Sequence, residues 1–266
     1  SMRLGLFDSG IGGLTVLKKV VELYPNTSFI YLADTARLPY GVKTTNEIMQ
    51  IADEISSWFV YQNIDAFLVA CNTTNAIALD VIKKNLDVPV FDLIGSAAST
   101  IRESRVGVLA TPSTVKTKAY TNAILKFNPK TFVIEQSCPK FVPMIEMDEI
   151  NTDELTDVAI GYLQPILEQK IDSLILGCSH YPLIAPLITR VLSSSIKLID
   201  PAEALSSKLK LFVDSKRCNL SKKQYLVDSK FYVTSNFKQF PLKAKHWLNV
   251  FPEVRLVSLQ KKGCVS

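Results

Sequence analysis

The chain has 266 residues, 47% of them hydrophobic and 21% charged, a composition with apolar mass for a sizeable core or two and a length that sets a prior of roughly two domains. Its formal charge of +5 is mild, and Lys and Arg are scattered apart from short pairs such as Lys222-Lys223 and Lys261-Lys262, so no nucleic-acid partner is expected. No apolar run approaches the roughly 18 residues of a membrane span, and the N-terminus enters a strand pattern at once, so the expectation is a cytoplasmic protein without a membrane partner.

Ser1, ahead of Met2, reads as a cloning remnant. The run from Arg3 predicts a strand closed by Asp8, followed by Ser9-Gly-Ile-Gly-Gly. Thr15 stands where a GxGxxG fingerprint needs its third glycine, and the chain contains no GKS or GKT, so a nucleotide site is rejected. Ser28-Phe-Ile-Tyr predicts a second strand, and Asp34-Thr-Ala-Arg-Leu-Pro-Tyr-Gly a proline turn expected to present Tyr40 and two backbone amides to a cleft mouth. A third strand leads from Ile64 to Cys71 and into a helical pattern, and Val90-Phe-Asp predicts a fourth.

The second half repeats this order. The Arg3 segment matches Arg105-Val-Gly-Val-Leu-Ala-Thr at an offset of 102, and Ser28-Phe-Ile-Tyr matches Thr131-Phe-Val-Ile at 103. Ile64-Asp-Ala-Phe-Leu-Val-Ala-Cys matches Ile171-Asp-Ser-Leu-Ile-Leu-Gly-Cys at 107, and Val90-Phe-Asp matches Leu198-Ile-Asp at 108. Short apolar runs alternating with helical stretches predict the α/β class: two similar open parallel-sheet lobes related by approximate two-fold symmetry, with the active site in the cleft between them. The lobes are placed at residues 1–94 and 95–206. Residues 207–266, with strand-like Phe231-Tyr-Val-Thr and Val254-Arg-Leu-Val, are expected to return and complete the first lobe.

Five cysteines without CxxC spacing suit reduced thiols. An isolated cysteine in an apolar run is usually a small buried hydrophobe, and that reading holds for Cys138, Cys218 and Cys264. Cys71 and Cys178 differ because the duplication makes them mates across one cleft. Each is expected near a helix N-terminus, which lowers a thiol pKa from about 8.5 toward neutrality. Two acid/base groups on opposite walls suit removal of a proton from one face of a carbon and its return on the other. His180, two residues beyond Cys178, is placed to exchange a proton with it. Asp8, closing the first strand before the glycines, reads as a helix cap, which is compatible with a catalytic role. Hydroxyls at Thr73, Thr74, Thr111, Ser113 and Thr114 are candidates for holding an acidic substrate's carboxylates, although capping explains each alone. A Cys-His hydrolase would leave Cys71 unexplained, a zinc site lacks ligand spacing, and a two-lobed binding protein would exchange no proton; neither metal nor cofactor is expected.

Asp8-Ser-Gly-Ile-Gly-Gly, Asp34-Thr-Ala-Arg-Leu-Pro-Tyr-Gly, Ala70-Cys-Asn-Thr, Phe141-Val-Pro-Met-Ile-Glu and Gly177-Cys-Ser-His-Tyr-Pro together resemble, in order, the motifs of bacterial glutamate racemases. The resemblance implies cofactor-independent interconversion of L- and D-glutamate for peptidoglycan synthesis, and a homodimer. It implies that Cys71 takes the α-proton of D-glutamate with Asp8 assisting, that Cys178 takes that of L-glutamate with His180 assisting, and that Glu146 is an auxiliary acid. Ser9, Pro39, Tyr40, Gly41, Asn72, Thr73, Thr114 and Ser179 align with substrate-contacting positions. The sequence departs from the family at Ser179, where threonine is usual, at Thr74-Asn75 and at Thr234-Ser-Asn.

Overall fold

The computed structural model describes residues 2–215, 228–249 and 251–259. Lys222-Lys223, Lys261-Lys262, Cys218 and Cys264 lie outside the described residues.

The first half runs β1 (Arg3–Asp8), α1 (Gly13–Leu23), β2 (Ser28–Ala33), α2 (Thr45–Phe59), β3 (Ala66–Val69), α3 (Asn72–Asn85), β4 (Val90–Asp92) and α4 (Leu93–Thr100). The second runs β5 (Arg105–Ala110), α5 (Pro112–Thr117), α6 (Ala119–Phe127), β6 (Phe132–Ser137), α7 (Phe141–Glu146), α8 (Asp153–Leu167), β7 (Ser173–Leu176), α9 (Ala185–Val191), β8 (Lys197–Ile199) and α10 (Pro201–Ser215). β9 (Lys230–Val233), the helix Phe240–Leu248 and β10 (Val254–Leu256) follow.

Two parallel sheets result, ordered β10-β9-β2-β1-β3-β4 and β6-β5-β7-β8. The last four positions of the first reproduce the order of the second, and β9 and β10 extend the first sheet beyond β2. The register shows how closely the halves correspond. Leu4 pairs with Ala66 as Val106 pairs with Ser173, and Phe67 pairs with Val90 as Leu174 pairs with Leu198, which reproduces the offsets 102, 107 and 108. The second strand differs by one residue: Arg3 pairs with Ser28, while Arg105 pairs with Phe132 and not Thr131. Its offset is therefore 104. A one-residue slip exchanges the two faces of a strand, so similarity between short apolar runs is a poor guide to register.

The strands are apolar because helices cover both faces of each sheet. β1 is buried from Leu4 to Asp8, and β3 and β7 throughout. Helix α2 begins at a reciprocal capping box in which Thr44 and Glu47 satisfy each other's backbone N–H. Positions 94 and 206, drawn as lobe limits, fall inside α4 and α10, two helices that pack on each other while α10 also packs on α1.

Candidate active site

In an open parallel sheet the carboxyl ends of the strands converge on the ligand crevice. β1 delivers Asp8 there, β3 delivers Cys71 and β7 delivers Cys178. Asp8 is wholly buried, and Cys71 and Cys178 are 4% and 6% exposed.

Oδ2 of Asp8 accepts the Gly10 and Gly13 N–H groups at 3.2 and 2.8 Å, which folds the glycine turn back onto the strand end. The turn is tight against the other lobe: a Cβ on Gly12 would lie 2.4 Å from Ser179 Oγ and 2.8 Å from the His180 backbone nitrogen. Oδ1 of Asp8 accepts from Ser179 Oγ across the cleft at 3.0 Å, and Thr15 Oγ1 donates to the Ser179 carbonyl at 3.0 Å. Burial raises the Asp8 pKa above its usual 3.8, opposed by the charge of His180 and by the hydrogen bonds from Gly13, Gly10 and Ser179.

Cys71 occupies the N-cap of α3, as expected. Its acidity is not as expected. Burial and then the negative charge of Asp8 push the thiol up to about 12, more than the side-chain and backbone hydrogen bonds of Thr74 offset. A helix terminus acts over one turn and is overridden by desolvation and a nearby carboxylate. The setting of Cys178 also differs from the expectation, because a turn and a 3-10 segment, Tyr181–Ile184, separate it from α9.

Cys178 Sγ lies 3.9 Å from His180 Nδ1, and His180 Nε2 lies 2.6 Å from Glu146 Oε1. Glu146 Oε1 also accepts from the Ile11 N–H at 3.2 Å, and its Oε2 pairs with Lys243 Nζ at 3.0 Å. Burial disfavours a charged His180, but Cys178 and Glu146 outweigh it and hold the imidazole pKa well above 6.5. Burial likewise opposes ionisation of Glu146, yet His180 and Lys243 bring it down to about 2. The relay thus runs sulfur, imidazolium, carboxylate, ammonium.

The other candidates line the seam between the lobes. Thr73 and Thr111 hydroxyls are 2.8 Å apart; Thr111 donates to Thr114 at 3.1 Å and Thr114 to Thr73 at 3.4 Å, a ring of three buried hydroxyls. The Gly41 carbonyl accepts from the Ser113 N–H at 2.8 Å, and the side chain of Thr111 sits where a Gly41 Cβ would point. Asn72 Oδ1 accepts from the Tyr120 hydroxyl. Ser9 is buried and Pro39 half-buried, Pro39 following a cis peptide bond. Tyr40 corrects an expectation: it is 2% exposed and not open at the surface, its ring packed in one cluster with Cys71 and its hydroxyl donating to Asp34. Sequence reasoning missed Thr15, Tyr120 and Lys243, since each acts on a residue at least 48 positions away and carries no motif.

Two parallel sheets of matching order, meeting over an equivalent pair of buried cysteines, define a two-lobed α/β enzyme of the amino-acid racemase type, an isomerase. The chain is 82% identical over 265 residues to the glutamate racemase of Prochlorococcus marinus strain NATL2A, covering all of both, and 42% identical to that of Synechococcus sp. strain CC9605, covering 95% and 96%. It superposes with a TM-score of 0.89, at 35% identity and over 97% and 98% of the two chains, on the glutamate racemase of Francisella tularensis in complex with D-glutamate. The Asp/Glu/Hydantoin racemase family model matches residues 10–209, and the chain belongs to that family.

Proposed function

We propose that the chain interconverts L- and D-glutamate by a two-thiol proton transfer that needs no cofactor. The observation that carries the reading is the pair Cys71 and Cys178, equivalent by duplication, both buried, near enough for the charge of one to act on the other, and set beside opposite charges: the Asp8 carboxylate near one, the His180 imidazolium near the other. The names of the relatives and the D-glutamate in the Francisella enzyme support glutamate as substrate.

In the L to D direction the Cys178 thiolate takes the α-proton of L-glutamate and becomes a thiol, leaving the electron pair delocalised into the α-carboxylate. The Cys71 thiol delivers its own proton to the opposite face, giving D-glutamate and a Cys71 thiolate. A Cys71 held at about 12 is the acid that this direction requires. In the D to L direction the roles exchange, with Asp8 assisting Cys71 and His180, backed by Glu146, assisting Cys178. Ser9, Pro39, Tyr40, Gly41, Asn72, Thr73, Thr114 and Ser179 would surround the substrate. The product would serve peptidoglycan synthesis in the cytoplasm, and a homodimer is the assembly this reading carries.

Metal-free protein incubated with L-glutamate in D2O is expected to lose optical rotation while the α-proton signal disappears. Unchanged glutamate would overturn the reading.

A further inference from the structure

Lys243 lies on the helix Phe240–Leu248, in the segment that contributes β9 and β10 to the first sheet, yet its ammonium reaches a residue of the second lobe. Nζ donates twice to Glu146: to Oε2 at 3.0 Å and to the main-chain carbonyl at 2.9 Å. With Oε2 held there, Oε1 is left to meet the His180 ring at 2.6 Å and the Ile11 N–H at 3.2 Å. The space around Oε1 is equally fixed, since a Cβ on Gly10 would lie 2.4 Å from it. An ordinary surface ion pair is screened by solvent, must freeze two long side chains to hold one geometry, and contributes little. Here the lysine side chain is 34% exposed, but its partner is 10% exposed and the next group in line, the His180 side chain, is 2% exposed.

We infer that Lys243 is a positioning residue of the Cys178 half-site: it clamps Glu146 by two hydrogen bonds so that the free carboxylate oxygen aims the His180 imidazole at Cys178. The inference rests on the racemase reading above. Lys243 touches no reacting atom. It also neutralises part of the Glu146 charge, which helps keep the proton of the Glu146–His180 pair on the histidine.

The chain has only two histidines, His180 and His246, so imidazole NMR of protein labelled with 15N-histidine resolves the clamp directly. The native protein is expected to show a downfield, slowly exchanging His180 ring N–H from the hydrogen bond to Glu146. In Lys243→Met that signal should broaden or vanish, and in Lys243→Arg, which can still donate to both Glu146 oxygens, it should persist. In activity, Lys243→Met should lose about tenfold to a hundredfold in kcat with KM nearly unchanged, the size of loss that accompanies a misplaced catalytic group. The substrate deuterium isotope effect should grow for L-glutamate and stay level for D-glutamate, with Lys243→Arg restoring both. An unaltered imidazole signal in Lys243→Met overturns the assignment whatever the activity, as does a loss of rate with equal isotope effects on both enantiomers. Should the native protein not racemise glutamate, the signal still reports on the clamp, so the two failures are distinguishable.

Discussion

The two half-sites are built on equivalent strands and equipped with opposite chemistry. Cys71 and Cys178 end β3 and β7 at the same register, but the positions around them are not equivalent. By the register, Asp8 at the end of β1 corresponds to Ala110 at the end of β5, and His180 corresponds to Thr73. The first lobe supplies the carboxylate and the second the imidazole, and each reaches over the seam: Ser179 donates to Asp8, and the Ile11 N–H donates to the glutamate behind His180. The backbone scaffold at the ends of β3 and β7 is repeated in the two halves, while the charged groups beside the two cysteines, Asp8 near one and the Glu146–His180 pair near the other, are particular to each side.

The sharpest way to break this comparison is to remove one thiol at a time. Cys71→Ser and Cys178→Ser should each lose racemisation by about a thousandfold or more while keeping the fold, because a hydroxyl is a far poorer proton acceptor than a thiolate near neutral pH. The equilibrium constant between enantiomers is one, so each loss must fall equally on kcat/KM in both directions. Polarimetry from either enantiomer checks this. Near-normal turnover in either variant means that only one side does chemistry.

A smaller effect, of about a hundredfold, is expected for Asp8→Asn and His180→Asn, and isotope effects tell the two apart. If Asp8 serves Cys71, Asp8→Asn slows abstraction from D-glutamate, and α-deuterated D-glutamate should show an enlarged isotope effect on kcat/KM. From L-glutamate the slow proton then comes from the enzyme and appears chiefly as a solvent isotope effect. His180→Asn should show the mirror image. Equal substrate effects from both enantiomers in both variants would reduce the two residues to general supports of the cleft.

Much of this architecture is legible in the sequence because parallel strands buried on both faces are nearly pure apolar runs, and shared residues mark each repeat: Arg3 with Gly5 and Arg105 with Gly107, Asp65 with Cys71 and Asp172 with Cys178, and Asp92 and Asp200. That sufficed to place β1, β3, β4, β5, β7 and β8 in register and to predict the strands at Phe231 and Val254. It failed at β2 and β6, where the matched runs lack such a marker and slid by one residue. The charge states were not legible, since a thiol pushed to about 12 depends on its depth and on a carboxylate delivered by another strand. Tyr40 was misjudged for a similar reason, because Asp34 in the same turn captures its hydroxyl. Lys243 had no sequence signal at all, being 97 residues from the carboxylate it holds.

The smallest expected effect concerns stability, and it contrasts the carboxylates of the two sides. Glu146, brought down to about 2 by His180 and Lys243, contributes stability that is fully present above its usual value near 4.5 and is lost as pH falls through about 2. Its charged form therefore favours the fold, and the stability gap between the native protein and Glu146→Gln should narrow as pH drops from about 4.5 toward 2. Asp8 has the opposite sign. Its pKa is raised by burial, so its contribution is present below 3.8 and lost as pH rises through the folded value. An asparagine can fill the site without loss of partners, its carbonyl accepting from Gly10 and Gly13 and its amide donating to Ser179 Oγ. Relative to the native protein, Asp8→Asn should consequently gain stability as pH rises from 4 to 7 while it loses turnover, whereas Glu146→Gln should lose both. Melting temperatures of the three proteins across pH 3 to 8 make the test. Parallel profiles for the two variants would show that the two sides do not differ in how they hold charge.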